Sequence, residues 1–345
     1  MINFSLFGVV CLGLTLPAAP AVAQASPSGY HLVDSLHLGG EGGWDLYGLD
    51  TAAQRIYISR GTRVQVVDCI RDSVVGEIPN TNGVHGIAVA PSAGKGFTSN
   101  GKDSSVTVFD LKTLRQVAVI KVQASKPDAI IFEQKSKRVF IFNGGSNNAV
   151  AIDAASNAVI GTVSFDGKPE LAVADEKGHV FVNLEDKSSV AEFDATTLKV
   201  VHAWPLAPGK EPTGIALDRR HRRIFSACAN NLMIVLDADS GRVVAQLPIG
   251  SGVDGAGFDP STRYAFSSNG EGTLTVVRED SPVKFSVAEN VATRRGARTM
   301  VLDEKTHKIY MVSATFGTPP ASTADHPRPR PPIEPGSVTL YVFGR

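Results

Sequence analysis

The 345-residue chain carries 34 Lys and Arg against 34 Asp and Glu, with 43% hydrophobic and 20% charged residues. That composition belongs to a chain able to fill a core and excludes a disordered one. With a formal net charge of zero, no global field draws it onto nucleic acid or an acidic membrane surface, so electrostatic recognition has to be local.

The chain begins "MINFSLFGVVCLGLTLPAAPAVAQA", an apolar stretch followed by prolines and by Ala21, Ala23 and Ala25, which suit cleavage after small residues. Residues 1–25 therefore read as a secretory signal peptide, although no Lys or Arg precedes the apolar run. The expected location is periplasmic or secreted. No later stretch has the roughly 20 apolar residues that a membrane-spanning helix needs. Past the signal only Cys69 and Cys228 remain, too few for a disulfide framework and without metal-ligand neighbours, so buried free thiols are expected.

Residues 26–345 repeat themselves. Aligning "IAVAPSAGKGFTSNGKDSSVTVFDLKTLRQVAVIKV" from Ile87 with "IALDRRHRRIFSACANNLMIVLDADSGRVVAQLPI" from Ile215 superposes the apolar runs, the turns and an Asp closing the third run. That Asp recurs as Asp68, Asp110, Asp153, Asp194 and Asp237, at spacings of 41 to 43 residues. Each unit holds four short runs rich in Val, Ile, Phe and Tyr, separated by turn residues and without helical periodicity. Four strands in about 40 to 45 residues is the period of a propeller blade. Seven units open near Asp45, His85, Asp128, Glu170, Thr213, Asp254 and Arg298. The seventh lacks a fourth strand, and "YHLVDSLHLGG" ahead of the first unit is a spare one. The predicted fold is an all-β, seven-bladed beta-propeller with four-stranded antiparallel blades. Its ring is closed by the N-terminal strand completing the last blade, which pairs two otherwise exposed edges.

The pieces "FTSN" with "VTVFD", "FIFN" with "VAID", "FVN" with "AEFD" and the opening "EPTGIALD" resemble the YVTN-type repeat of the YncE-like family of bacterial seven-bladed propellers. The resemblance covers essentially the whole mature chain and implies a fold, not a shared activity. Arg60 near the expected first Asn, Arg278 in place of a closing Asp, and the seventh unit depart from the pattern.

In such a blade the innermost strand starts and the second strand ends on one face. Asp45, His85, Asp128, Glu170, Thr213, Asp254 and Arg298 are therefore predicted to ring a channel mouth, with Trp44 beside Asp45 and Lys126, Lys168 and Lys210 just outside. Asn100, Asn143, Asn183, Asn230 and Asn269 fall at second-strand ends. Turn chemistry alone also favours Asp and Asn where strands meet loops. Crowded carboxylates at a mouth would raise one another's pKa values unless compensated, with His85 and Arg298 as the compensating groups. His85, Asp128 and Asp45 are the candidate metal ligands, with a divalent metal the candidate cofactor. His326 is a further mouth candidate.

A Pro-rich insertion, 316–336, interrupts the seventh unit on the same face. It reads either as a rim over the mouth or as a docking segment. Arg328 and Arg330 in it, with Arg294, Arg295 and Arg298, make that sector cationic and suited to a carboxylate or phosphate. The run "DRRHRR" at 218–223 falls in a hairpin on the opposite face and reads as a solvated turn. The leading functional reading is a module that binds a small molecule or an exported protein at the mouth, with no reaction assigned. One alternative is a metal-dependent, lactonase-like hydrolase with His85 as base. Another is nucleic-acid binding through local basic patches, for which interleaved aromatics are missing.

Overall fold

The computed structural model describes residues 1–2, 27–323 and 329–345. Apart from its first two residues the expected signal segment lies outside them, as do His326 and Arg328. Among the described residues the chain forms seven four-stranded antiparallel sheets, and helix is limited to the short 3-10 turns Pro91–Ala93 and Glu185–Lys187. The innermost strands are Tyr47–Asp50, Val84–Ala90, Pro127–Glu133, Pro169–Ala174, Pro212–Asp218, Val253–Asp259 and Val301–Asp303. The last sheet takes its outermost strand from the N-terminus. His31–His37 runs antiparallel to Thr339–Gly344, with Leu36 opposite Leu340. Ahead of it Tyr30 packs edge-on against Phe266, and Ser28 donates to Glu289 from both its backbone N–H and its hydroxyl.

Along the second and third strands alternation sends apolar side chains to both faces, and both are covered by neighbouring blades, whereas outermost strands such as Gln116–Lys121 are largely exposed. Between the third and fourth blades, for example, Phe140, Phe142 and Ala129 pack against Val180, Val182 and Phe193, all buried. The closing Asp of the repeat is explained by turn chemistry. Asp110 Oδ1 accepts from the backbone of Lys112 and Thr113, and Asp194 Oδ1 accepts from Thr196 and Thr197 in the same way.

Crowding at the ring axis explains a second feature of the repeat, the Gly that follows several innermost-strand openings. A Cβ on Gly86 would stand 2.9 Å from Ile130 Cγ2 in the next blade, and one on Gly214 would stand 2.8 Å from the Gly255 carbonyl carbon. The inner strands approach closely only because those positions carry no side chain.

Arg60 occupies a departure from the repeat and has its own structural role. Fully buried, its guanidinium donates to Gln65 Oε1 at 2.8 Å and to the carbonyls of Gly39, Glu41 and Gly42 at 2.9 to 3.3 Å. The glycine-rich segment leading to Trp44 and Asp45 is thereby fastened to the first blade. Burial, with Arg63 nearby, pushes the Arg60 pKa down to about 10.

Candidate functional site

The geometry brings most of the predicted ring into one connected chain of charges. His85 Nδ1 lies 2.7 Å from Asp45 Oδ2 and 3.6 Å from Asp128 Oδ1, bridging the blades on either side of its own. In the other direction Arg298 Nη2 lies 4.0 Å from Asp45 Oδ1, and Arg298 Nε lies 3.2 Å from Asp254 Oδ2. Glu170 stands apart from this chain and is paired with Lys168 at 2.6 Å. Lys168 also binds Glu185, which comes from the turn after the second strand of that blade. Thr213 turns its hydroxyl to the Val253 carbonyl at 3.1 Å. Lys126 and Lys210, predicted to lie near the ring, make no side-chain ion pair among the described residues.

Because each inner-strand opening projects toward the axis, the carboxylates meet partly out of water. The hydrogen bond to Asp45 raises the His85 pKa against the opposing effect of burial, with Asp128 adding to the rise. Burial raises Asp128 despite the pull of His85. Asp254 is pushed up to about 6, by burial first, with Arg298 opposing and Asp45 and Asp128 adding. For Glu170, burial and the nearby Asp128 and Glu185 outweigh the ion pair and leave it raised. Burial lowers Lys168, but its bonds to Glu170 and Glu185 more than reverse this. Donor atoms of Asp45, His85 and Asp128 all lie within 4.8 Å of one another, so the three predicted metal-ligand candidates do converge. His85 Nδ1 faces both carboxylates, so coordination would use Nδ1 and a general base would act through Nε2.

Beside the ring lies a cavity of about 430 Å³ lined by Gly43, Trp44, Gly270, Arg295, Gly296, Arg298 and the insertion residues Phe316, Gly317, Pro319, Arg330, Pro331 and Ile333. The two arms of the insertion are joined at its base, where Gly317 N–H donates to the Pro332 carbonyl and Glu334 N–H to the Thr315 carbonyl, both at 2.9 Å. Phe316 rests over Gly296, where a Cβ would come within 2.7 Å of its ring, and its centroid is 6.2 Å from that of Trp44. Trp44 thus packs in the wall of the cavity while also facing it. Arg298 belongs to both the ring and the cavity. The side chains of Arg295 and Arg330 make no hydrogen bond or ion pair among the described residues.

Two sequence expectations need correction. The second-strand asparagines Asn100, Asn143, Asn183 and Asn269 are fully buried and occupied internally. Asn183 Nδ2 donates to the Thr213 and Gly214 carbonyls, and Asn269 Nδ2 donates to Thr273 and Thr275. Asn183 thereby pins the next blade's inner strand, Asn269 braces the third strand of its own blade, and neither offers its amide to a ligand. Nor is "DRRHRR" a solvated turn. Arg219 reaches Glu176 and Glu304 in different blades, Arg222 pairs with Asp175 and Asp239, and Arg223 with Asp237. The run is an inter-blade clasp, and most of its charge is neutralised. Sequence reasoning missed Glu185 and the buried role of Arg60, because both lie outside the repeat pattern.

No protein-family model matches the chain, and no curated protein does. Among solved structures, a chain in the crystal structure of a mitotic checkpoint complex is similar over 98% of this chain and 99% of its own length, with a TM-score of 0.73 at 11% identity. That likeness establishes the fold alone. Matches to solved structures number 1853 chains, a breadth that ties this architecture to no single activity.

Proposed function

We propose that this chain is an exported propeller of the YncE-like, YVTN-repeat kind that binds a small anionic ligand at its channel mouth. In this reading residues 1–25 are the export signal, residues 26–345 form the propeller, and the mature protein works in the periplasm or outside the cell. One observation carries the binding assignment. Arg298 joins a ring of polar side chains drawn from neighbouring blades to a cavity of about 430 Å³ that also contains Arg295 and Arg330, two arginines without a side-chain partner among the described residues. A guanidinium without a carboxylate partner is a strong donor for carboxylate or phosphate oxygens. Trp44, Phe316 and the prolines add apolar walls for a planar group.

The test uses benzoate and phenyl phosphate, with benzyl alcohol as the uncharged control. Trp44 and Trp204 are the chain's tryptophans, so a Trp204→Phe background makes Trp44 fluorescence a local reporter. Saturable quenching by the anions and not by the alcohol, weakened at least 10-fold by an Arg295→Ala, Arg330→Ala double change, is expected from loss of two charge-assisted contacts. Equal response to the alcohol, or binding indifferent to both arginines, refutes the anion assignment. Should the mouth serve a different ligand, Asp128→Ala or His85→Ala weakens that ligand while a far-face Arg220→Ala does not.

A second reading, metal-assisted hydrolysis, is favoured by the convergence of Asp45, His85 and Asp128. A divalent ion held there would act as a Lewis acid on a lactone carbonyl. Hydrolysis of a lactone panel that is abolished by chelation and by Asp128→Ala supports it, and protein that holds no metal as purified and hydrolyses no lactone after divalent ions are added removes it. Nucleic-acid binding is the third reading, weakened by the neutralised arginines of the far-face clasp. Absence of single-stranded DNA binding at low salt removes it.

A further inference from the structure

The far face contains a charge imbalance that the mouth does not explain. Asp218, at the end of the fifth innermost strand, is 2% exposed, and Glu279, on the long third strand of the sixth blade, is 1% exposed. His221 sits between them, its Nδ1 2.7 Å from Asp218 Oδ2 and 3.1 Å from Glu279 Oε1. One ring nitrogen carries at most one proton, and its hydrogen bond goes to Asp218. Both Glu279 carboxylate oxygens are buried without a hydrogen-bond partner. Three arginines of the same turn are engaged elsewhere: Arg219 with Glu176 and Glu304, Arg222 with Asp175 and Asp239, Arg223 with Asp237 and the Pro282 carbonyl. An uncompensated carboxylate held out of water beside a second one is strongly unfavourable.

We propose that Asp218, His221 and Glu279 form a site for a divalent transition-metal ion that ties the fifth blade to the sixth. The donor atoms all lie within 4.8 Å of one another. The spacings of 2.7 and 3.1 Å from the nitrogen to the two carboxylate oxygens straddle the roughly 3 Å that bonds of about 2.1 Å place between adjacent octahedral ligands, whereas a tetrahedral ion needs them to open to about 3.4 Å. One imidazole with two carboxylates suits Zn²⁺ or Mn²⁺ better than the all-oxygen preference of Ca²⁺ or Mg²⁺. The ion neutralises both acids, and its donors come from separate blades, so it strengthens the inter-blade contact without any reaction.

The full-length mature chain is stripped with EDTA and titrated with Mn²⁺ and with Zn²⁺, following stoichiometry by elemental analysis and stability by thermal unfolding. Binding of one ion per chain is expected, with a raised thermal midpoint. Glu279→Gln and His221→Gln each lower affinity at least 10-fold and abolish that rise, whereas Asp72→Asn, in an exposed turn of the first blade, leaves both intact. Because Glu279→Gln removes a buried charge, its metal-free form is expected to be at least as stable as the metal-free parent, which separates loss of a ligand from loss of the fold. Three results overturn the proposal: no binding of either ion at millimolar concentration, binding undiminished in Glu279→Gln, or binding lost only in Asp128→Asn at the mouth. If Glu279→Gln stabilises the protein but neither ion binds, a shared proton balances the charge and the metal assignment falls.

Discussion

Asp254→Asn tests whether the mouth gathers its carboxylates at an energetic cost. The Asp254 carboxyl is raised from its ordinary 3.8 to about 6, burial being the largest cause. Between those values the native protein holds a proton that the unfolded chain has released, so this group's contribution to stability falls as pH rises through the window. A separation of about two units at 1.36 kcal/mol per unit makes the ionised group unfavourable by about 3 kcal/mol at neutral pH. Asn carries the same shape without the titration, and its amide oxygen can still accept from Arg298, which lies 3.2 Å from the native carboxylate. The variant should therefore match the parent near pH 4 and become more stable than it by about 2 to 3 kcal/mol near pH 7. Guanidinium unfolding of both proteins at a series of pH values measures the difference. Parallel curves, or a variant that loses ground as pH rises, would show that Arg298 fully compensates Asp254 and that the crowding inferred for the mouth is wrong.

Other positions give equally direct checks. Gly86→Ala puts a methyl group 2.9 Å from Ile130 Cγ2 and 3.3 Å from the Asp128 carbonyl, and overpacking at the axis is expected to destabilise by about 1 to 3 kcal/mol, read as a lower denaturant midpoint. Arg60→Met keeps the bulk but leaves the carbonyls of Gly39, Glu41 and Gly42 without their donor, so a loss of about 2 to 4 kcal/mol should accompany a changed Trp44 emission. Truncation through His37 exposes the edge of Thr339–Gly344, and size-exclusion chromatography should find aggregate or unfolded chain in place of a monomeric ring. Phe140→Ala empties a fully buried site between the third and fourth blades and should cost about 3 to 5 kcal/mol in unfolding free energy.

The architecture was legible because a propeller repeats one local solution. The closing Asp of the first five units satisfies the backbone of its own turn, as Asp110 and Asp194 do, so its recurrence marks the blade period before any contact is known. The surplus strand at the N-terminus and the missing strand at the C-terminus likewise predicted ring closure, and the register of Leu36 with Leu340 bears it out. The same alignment proposed which side chains would face the mouth, because antiparallel strands fix which ends share a face.

Repeats say nothing of what happens between positions that the alignment treats as equivalent. Thr213 and Asp254 hold corresponding places, yet one bonds a backbone carbonyl and the other pairs with Arg298. "DRRHRR" has the composition of a solvated turn, but other blades supply Glu176, Glu304 and Glu279 and turn it into a partly buried clasp. Sequence by itself determined the blade count, the closure and the residues offered to each face, since these follow from strand periodicity and turn chemistry within a single unit. Tertiary structure alone decided which charges meet, which are buried and which stay unpaired, because those partners lie in different blades and the energy of a charge depends on its surroundings in space.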